Sequence, residues 1–415
     1  MAPGRQFTLR LLRKAGVLVL LCAGLAGCAT RSLDAARYHF YRGMLDSASE
    51  RMVEAKPSEK DLALYLMERG TVEQARGNYE TSSSDFIRAA DELERLETYS
   101  LSKGTASMVI NDQVQSFIGT PYERSLLHTF TALNHLSRGD WDNAAVEARR
   151  IIQRLDPGKT EGYPLDAYSR YMAGFCLEMI DDPSNAALQY RLANNALPRI
   201  EINENTGRIR PLDDDEKKTR VEGAPEPNPW PEEKWENELI CFILLDRGPG
   251  AQVGWGPAWT SGSAPYAEIH ADGKLLGRSY NFADTHDLAF KTAEKQALGE
   301  ALKTGTRVVL KEAAAQAVAS ATDNEAAGDL VRLILIGLLE RPDVRRWETL
   351  PRWLQVARVP CPPDLKEYDV IVRTPGGLQQ CYHITQPIAR RRGKYFSFFR
   401  DLPLPSTLPQ ASGLR

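Results

Sequence analysis

The sequence predicts an α+β protein: an N-terminal α-helical repeat domain followed by a C-terminal, sheet-rich, sandwich-like domain with inserted helices. Two patterns predict this order. Between residues 43 and 198 one spacing of small and bulky residues recurs four times. From residue 239 onward, apolar residues instead alternate or run in strand-length blocks. A charged, proline-rich stretch separates the two halves.

The first thirty residues carry an address. Arg5, Arg10, Arg13 and Lys14 precede a 13-residue apolar run, Ala15 to Gly27. A spanning helix needs about 20 such residues. A basic start, a short apolar centre and small residues at its end describe a secretory signal over 1–27. Leu25-Ala26-Gly27-Cys28 resembles the bacterial lipobox, in which the cysteine thiol receives diacylglycerol and the cut makes that cysteine residue one. The resemblance implies lipidation (palmitate-type acyl chains) at Cys28, and several acyl chains anchor stably where one does not. Ala29 follows, rather than the aspartate of inner-membrane retention signals, so the expected location is the periplasmic face of the outer membrane. Removing 1–27 takes four positive charges from a net −3 and leaves −7. That balance argues against nucleic acid as a partner.

The repeats come next. Gly43, Ala48, Met52 and Ala55 stand at offsets of +5, +9 and +12. The same offsets hold for Gly77, Ser82, Phe86, Ala89; for Gly139, Ala144, Ala148, Ile151; and for Asp181, Ala186, Tyr190, Ala193. Small residues let two helices approach, and a bulky one fills the gap beside them. With Gly174 before the last unit and Pro198 after it, the pattern resembles the tetratricopeptide repeat and implies such a domain over 28–200. The glycines at 77 and 139 are 62 apart rather than 34, so 97–124 reads as an insertion of 28 residues.

From 201 to 237 the chain is charged, proline-rich and without apolar period, which predicts a linker. A C-terminal domain follows over 238–405, and 406–415 reads as a flexible tail. "LICFILLD" (239–246) reads as a buried strand. Asp272-Gly273 sits between two alternating runs, the signal of a hairpin. Helices are expected over 288–302 and 324–340, and strands in "WLQVARVPC", "EYDVIVRT", "LQQCYHIT" and "KYFSFFRD".

Chemistry is hard to find. "GPGAQVGWGPAW" lacks the lysine and the following helix of a phosphate loop. His128 and His135 share a helix face but lie roughly 10 Å apart, too far to share a metal. Ser125 and His128 suggest a nucleophile–base pair without an orienting carboxylate. "DDDEKK" is a solvated charge run, not a calcium loop, and "LVRLILIGLL" is too short to span a membrane. No catalytic, cofactor-binding or metal-ligating residue is assigned. Cys176, Cys241, Cys361 and Cys381 include no C-x-x-C pair. Cys361 and Cys381 flank the strand expected over 367–374, so a disulfide between them is an expectation. Cys176 and Cys241 read as buried thiols.

Two further stretches, "INDQVQSFIGTPYERSLLHTFTALNHL" and "PDVRRWETLPRWLQVARVP", resemble signatures of a little-characterised family of tetratricopeptide-type bacterial lipoproteins. The matching residues are Asn111, Asp112, Gly119, Tyr122, Glu123, Arg124 and Leu127, then Asp343, Arg345, Trp347, Leu350 and Pro351. The resemblance implies an envelope role and carries over no established reaction, so no residue inherits a catalytic role. Three functions compete. A lipid-anchored scaffold would hold a periplasmic protein or peptide partner in its helical groove. A binding module would take a small ligand or lipid in the sheet domain. An enzyme would act on peptidoglycan or glycan. The scaffold fits best, with Asn111, Asp112, Gln115, Tyr122 and Glu123 as candidate partner-binding residues. Without the resemblance, Tyr122 and Glu123 read as a helix start after Pro121 and Trp347 as a core anchor.

Overall fold

The computed structural model describes residues 28–103, 116–156, 163–212, 235–249, 264–296, 345–385 and 389–402. The N-terminal half forms helical hairpins in succession. Helix α1 (Cys28–Phe40) pairs with α2 (Leu45–Glu54), α3 (Leu62–Ala75) with α4 (Tyr79–Lys103), α5 (Pro121–Ser137) with α6 (Trp141–Arg154), and α7 (Ala167–Met179) with α8 (Pro183–Asn195). Connections this short force antiparallel neighbours. Each hairpin turns through one residue with positive φ: Gly43, Gly77, Gly139 and Asp181, at 71°, 82°, 70° and 71°. These four residues open the four sequence units. The residues at +5, +9 and +12 are buried in every unit.

Close approach explains the small residues. A Cβ on Gly70 of α3 would lie 2.5 Å from the Phe86 ring of α4, and one on Gly174 of α7 would lie 2.8 Å from Tyr190 of α8. Consecutive hairpins are also tied by buried polar bonds. Gln74 donates to Asn134 at 2.7 Å, and Asn134 donates to Ser82 at 2.8 Å.

The chain after α8 departs from the expected linker. Ile200–Ile202 (β1) and Ile209–Pro211 (β2) pair as an antiparallel hairpin, with Ile200, Ile202, Ile209 and Leu212 buried. Residues 213–234 lie outside the described residues.

The C-terminal half is two packed sheets. The strands are β3 (Glu238–Leu245), β4 (Tyr266–Ala271), β5 (Lys274–Arg278), β6 (Tyr280–Asp284), β7 (Trp353–Pro360), β8 (Tyr368–Arg373), β9 (Gln379–Ile384), β10 (Ala389–Arg391) and β11 (Lys394–Arg400). One sheet has the order β10-β11-β3-β7-β6 and the other β5-β4-β8-β9. The β4–β5 turn is Asp272-Gly273, both at positive φ (51° and 72°), as a two-residue hairpin of this twist requires. The second alternating run is broken at Ser279, where the chain leaves one sheet for the other. Ser279 Oγ accepts from the Ala267 N–H at 2.8 Å and donates to Gln355 at 2.6 Å. A helix, α9 (285–296), continues from β6.

Strand β3 is buried along its whole length because both faces of its sheet are covered. Leu239, Cys241, Ile243 and Leu245 face the second sheet. Ile240, Phe242 and Leu244 face the helices. The molecule is therefore three layers: helical array, five-stranded sheet, four-stranded sheet.

Candidate functional site

The junction between the helical array and the five-stranded sheet concentrates the polar and aromatic groups that function would use. The first helices of the hairpins supply its floor. Tyr168 and Phe175 of α7 meet Phe242 of β3, with ring centroids 5.7 and 5.9 Å apart. Phe175 also stacks on Phe396 of β11 at 6.1 Å, and Tyr171 meets Phe282 of β6 at 5.0 Å. The groove expected to hold a partner is thus filled by the chain's own sheet. This corrects the expectation drawn from the repeats: an open groove would leave these large aromatic faces in water, and the hydrophobic effect closes it from within.

One segment, 345–350, penetrates furthest. Trp347 is fully buried against Phe86 and Phe130, at 5.7 and 5.4 Å between ring centroids. Its indole N–H donates to Thr71 Oγ1 at 2.9 Å and to Thr349 Oγ1 at 3.1 Å. Carboxylates of the array capture its backbone. The Trp347 N–H donates to Glu123 Oε1 at 2.7 Å, and the Glu348 N–H to Glu68 Oε1 at 2.9 Å. Arg37 bridges Glu68 (2.7 Å) and Glu348 (3.1 Å), and Arg345 pairs with Asp61 at 2.7 Å. The Tyr41 hydroxyl donates to the Glu348 carbonyl.

Tyr122 and Glu123 therefore face inward. Thr120 and Glu123 form a capping box at the start of α5, with Glu123 Oε2 accepting from the Thr120 N–H at 2.7 Å. Burial pushes the Glu123 carboxyl above its ordinary range, and the donors from Trp347 and Thr120 pull it partly back. Burial likewise raises the Tyr122 phenol well above its ordinary value. Both residues are corrected from candidate partner contacts to buried ones, Glu123 as an internal fastener and Tyr122 as a core side chain. Phe117, at the end of the insertion, is buried too. The insertion's limits are tied together by Arg124 and Glu97 at 2.7 Å. Asn111, Asp112 and Gln115 lie outside the described residues.

A second fastener sits at the far end of the junction. Arg358 of β7, wholly buried, reaches Glu178 of α7 at 2.9 Å and Glu238 of β3 at 2.7 Å. Arg208 also pairs with Glu238, at 3.0 Å. Burial alone would raise the Glu178 carboxyl, but Arg358 and Lys394 outweigh it and hold it at about 2. Glu68, Glu178 and Arg358 escaped attention in the sequence. Their signal was a charge at a position whose strand or helix period demands an apolar residue.

The serine–histidine pair does not form. Ser125 donates to Asp166 at 2.6 Å, whereas His128 pairs with Glu147 at 2.8 Å. Cys361 and Cys381 are free thiols, not a disulfide. Cys361 follows β7 of one sheet while Cys381 lies on β9, the edge of the other, so their strands are never neighbours. Cys176 and Cys241 are buried thiols. Among the described residues no group of His, Cys, Asp or Glu has the arrangement of a metal site, and no helix is long and apolar enough to cross a membrane. The glycine-rich "GPGAQVGWGPAW" and the runs "DDDEKK" and "LVRLILIGLL" fall largely or wholly outside the described residues.

No family model matches this chain, and no curated protein is similar to it.

Proposed function

We propose that this protein is a lipid-anchored, tetratricopeptide-type scaffold on the periplasmic side of a bacterial outer membrane, binding an envelope protein or peptide without catalysis. One observation carries the reading: the lipobox cysteine, Cys28, is also the first residue of the first helix of the array. The acyl chains would then hold a folded repeat domain directly at the membrane, with no spacer. The four shared positive-φ turns and buried offsets support the tetratricopeptide assignment.

The five-stranded sheet covers the helix face that carries Tyr168, Tyr171 and Phe175, so partner contact falls on the outer surfaces. Asn111, Asp112 and Gln115 remain the proposed contact residues, since amides and carboxylates on an inserted segment give directional bonds without being needed to complete a repeat. Photo-crosslinking in intact cells, followed by purification from detergent-solubilised envelope, tests this. A defined, saturable partner is expected, and its capture should drop when the three residues are changed together to alanine. Turnover of peptidoglycan fragments by the purified protein would overturn the reading.

A further inference from the structure

Antiparallel hairpins give the array two edges. One holds the turns at 41–44, 76–78, 138–140 and 180–182. The other holds the start of α1 at Cys28, the end of α2, and the starts of α5 and α7. The turn edge is polar, with Arg42, Arg76, Asn78, Arg138 and Asp181 exposed. Among the described residues its large exposed apolar side chain is Tyr38, which lies under the Arg42 guanidinium at 4.3 Å.

The edge that carries Cys28 is different. Val53 in the last turn of α2 is 74 % exposed, Ile118 just ahead of α5 is 54 % exposed, and Leu165 just ahead of α7 is 70 % exposed. Single exposed apolar residues are ordinary. Three at the successive connections between hairpins, all on the tethered edge, are not explained by packing among the described residues. The tether is also short. Leu33 is already buried, five residues after Cys28. Along a helix that is about 8 Å, so acyl chains on Cys28 bring this edge down to the headgroups.

We infer that the Val53–Ile118–Leu165 edge docks on the lipid bilayer, inserting these three side chains at the headgroup–acyl boundary and fixing the array upright on the membrane. This rests on the lipid-anchored reading. Exposed Lys56 and Lys60 beside Val53 are balanced by exposed Glu54 and Glu59. Apolar insertion, rather than attraction to anionic lipid, then carries the contact, and the docking should persist in high salt.

The test uses full-length lipidated protein in vesicles of phosphatidylethanolamine with a minority of phosphatidylglycerol. In a Cys361→Ser, Cys381→Ser background, an environment-sensitive dye is placed at Val53→Cys, Ile118→Cys or Leu165→Cys, with Val146→Cys on α6 and Tyr38→Cys on the turn edge as controls. A brominated lipid should quench the dye roughly twofold at 53, 118 and 165 and leave it unchanged at 146 and 38. Equal quenching at all five positions, or none at the first three, overturns the docking. The mass of the N-terminal peptide is measured on the same sample. Lipid present with no quenching refutes the edge alone, whereas an unacylated chain refutes the anchor and the docking together.

Discussion

Glu123 Oε1 accepts the backbone N–H of Trp347 at 2.7 Å, joining residues 224 positions apart. The same carboxylate caps its own helix through Oε2. One side chain thus starts α5 and holds the segment that plugs the array. The contact joins the stretches 110–136 and 342–360.

Both oxygens of Glu123 receive N–H donors, so even an isosteric amide cannot replace it. Glu123→Gln keeps one acceptor and turns an NH2 group toward the other donor, while Glu123→Ala leaves the buried Trp347 N–H and the half-buried Thr120 N–H unpaired. Glu123→Ala should cost about 2–4 kcal/mol of stability, with Glu123→Gln intermediate. Trp347→Ala should cost about 3–5 kcal/mol, because the indole's volume cannot be refilled. Denaturant unfolding measures each, and a Glu123→Gln variant as stable as the parent would show that the second oxygen is idle.

The thiols give a sharper chemical check. Cys381 is exposed and should react at once with a disulfide reagent. Cys361 should lag, since it is half-buried and burial pushes its thiol up to about 12. Cys176 and Cys241 should react only after unfolding. Titration of the native protein that finds both 361 and 381 protected would restore the disulfide.

Much of the fold was legible in short stretches. The hairpin turns at Gly43, Gly77, Gly139 and Asp181, the Asp272-Gly273 turn and strands β3, β7, β8, β9 and β11 were all marked by local period or turn chemistry. What was not legible is long-range. β11 pairs parallel to β3, Phe396 beside Ile240, and nothing within either strand selects that neighbour. The β1–β2 hairpin hid in charged surroundings, because its buried apolar side chains are just Ile200, Ile202, Ile209 and Leu212. Of the candidate site, Tyr122, Glu123 and Trp347 were legible as unusual positions, but not as one cluster. Their roles depend on which face the sheet covers, and no local pattern encodes that.

Acidity should act in two windows of opposite sign. Burial pushes the Asp401 carboxyl up to about 7 from its ordinary 3.8, against the Asp246 N–H bonds to both its oxygens (2.8 and 2.9 Å) and the nearby Arg400. A raised acid favours folding most below its unfolded pKa and loses that stability as pH rises through the folded value. Glu178, held at about 2, contributes above its ordinary 4.5 and loses its contribution as pH falls toward 2. The melting temperature should therefore decline between about pH 4 and pH 7 and again below about pH 4. Asp401→Asn should flatten only the upper slope; thermal scans across pH that show no change in that slope would remove Asp401 as its source.

The sequence suggests a repeat domain and a sheet domain separable at the linker, but the junction makes them one core. Cutting after residue 212 would strip the sheet from Tyr168, Tyr171 and Phe175, and take Trp347 away from Phe86 and Phe130. It would also take the Glu348 N–H from Glu68, the Trp347 N–H from Glu123 and the Arg358 guanidinium from Glu178. Each large aromatic returned to water loses about 2–3 kcal/mol, which is comparable with the net stability of a typical domain once several are counted. The fragment 28–212, with Cys28→Ser, should aggregate or bind a hydrophobic dye strongly. The acyl-free chain 28–415 should unfold in a single transition without binding the dye. Two separate calorimetric transitions in that chain, or a soluble and cooperatively folded fragment, would show that the helical array is sustained without its sheet.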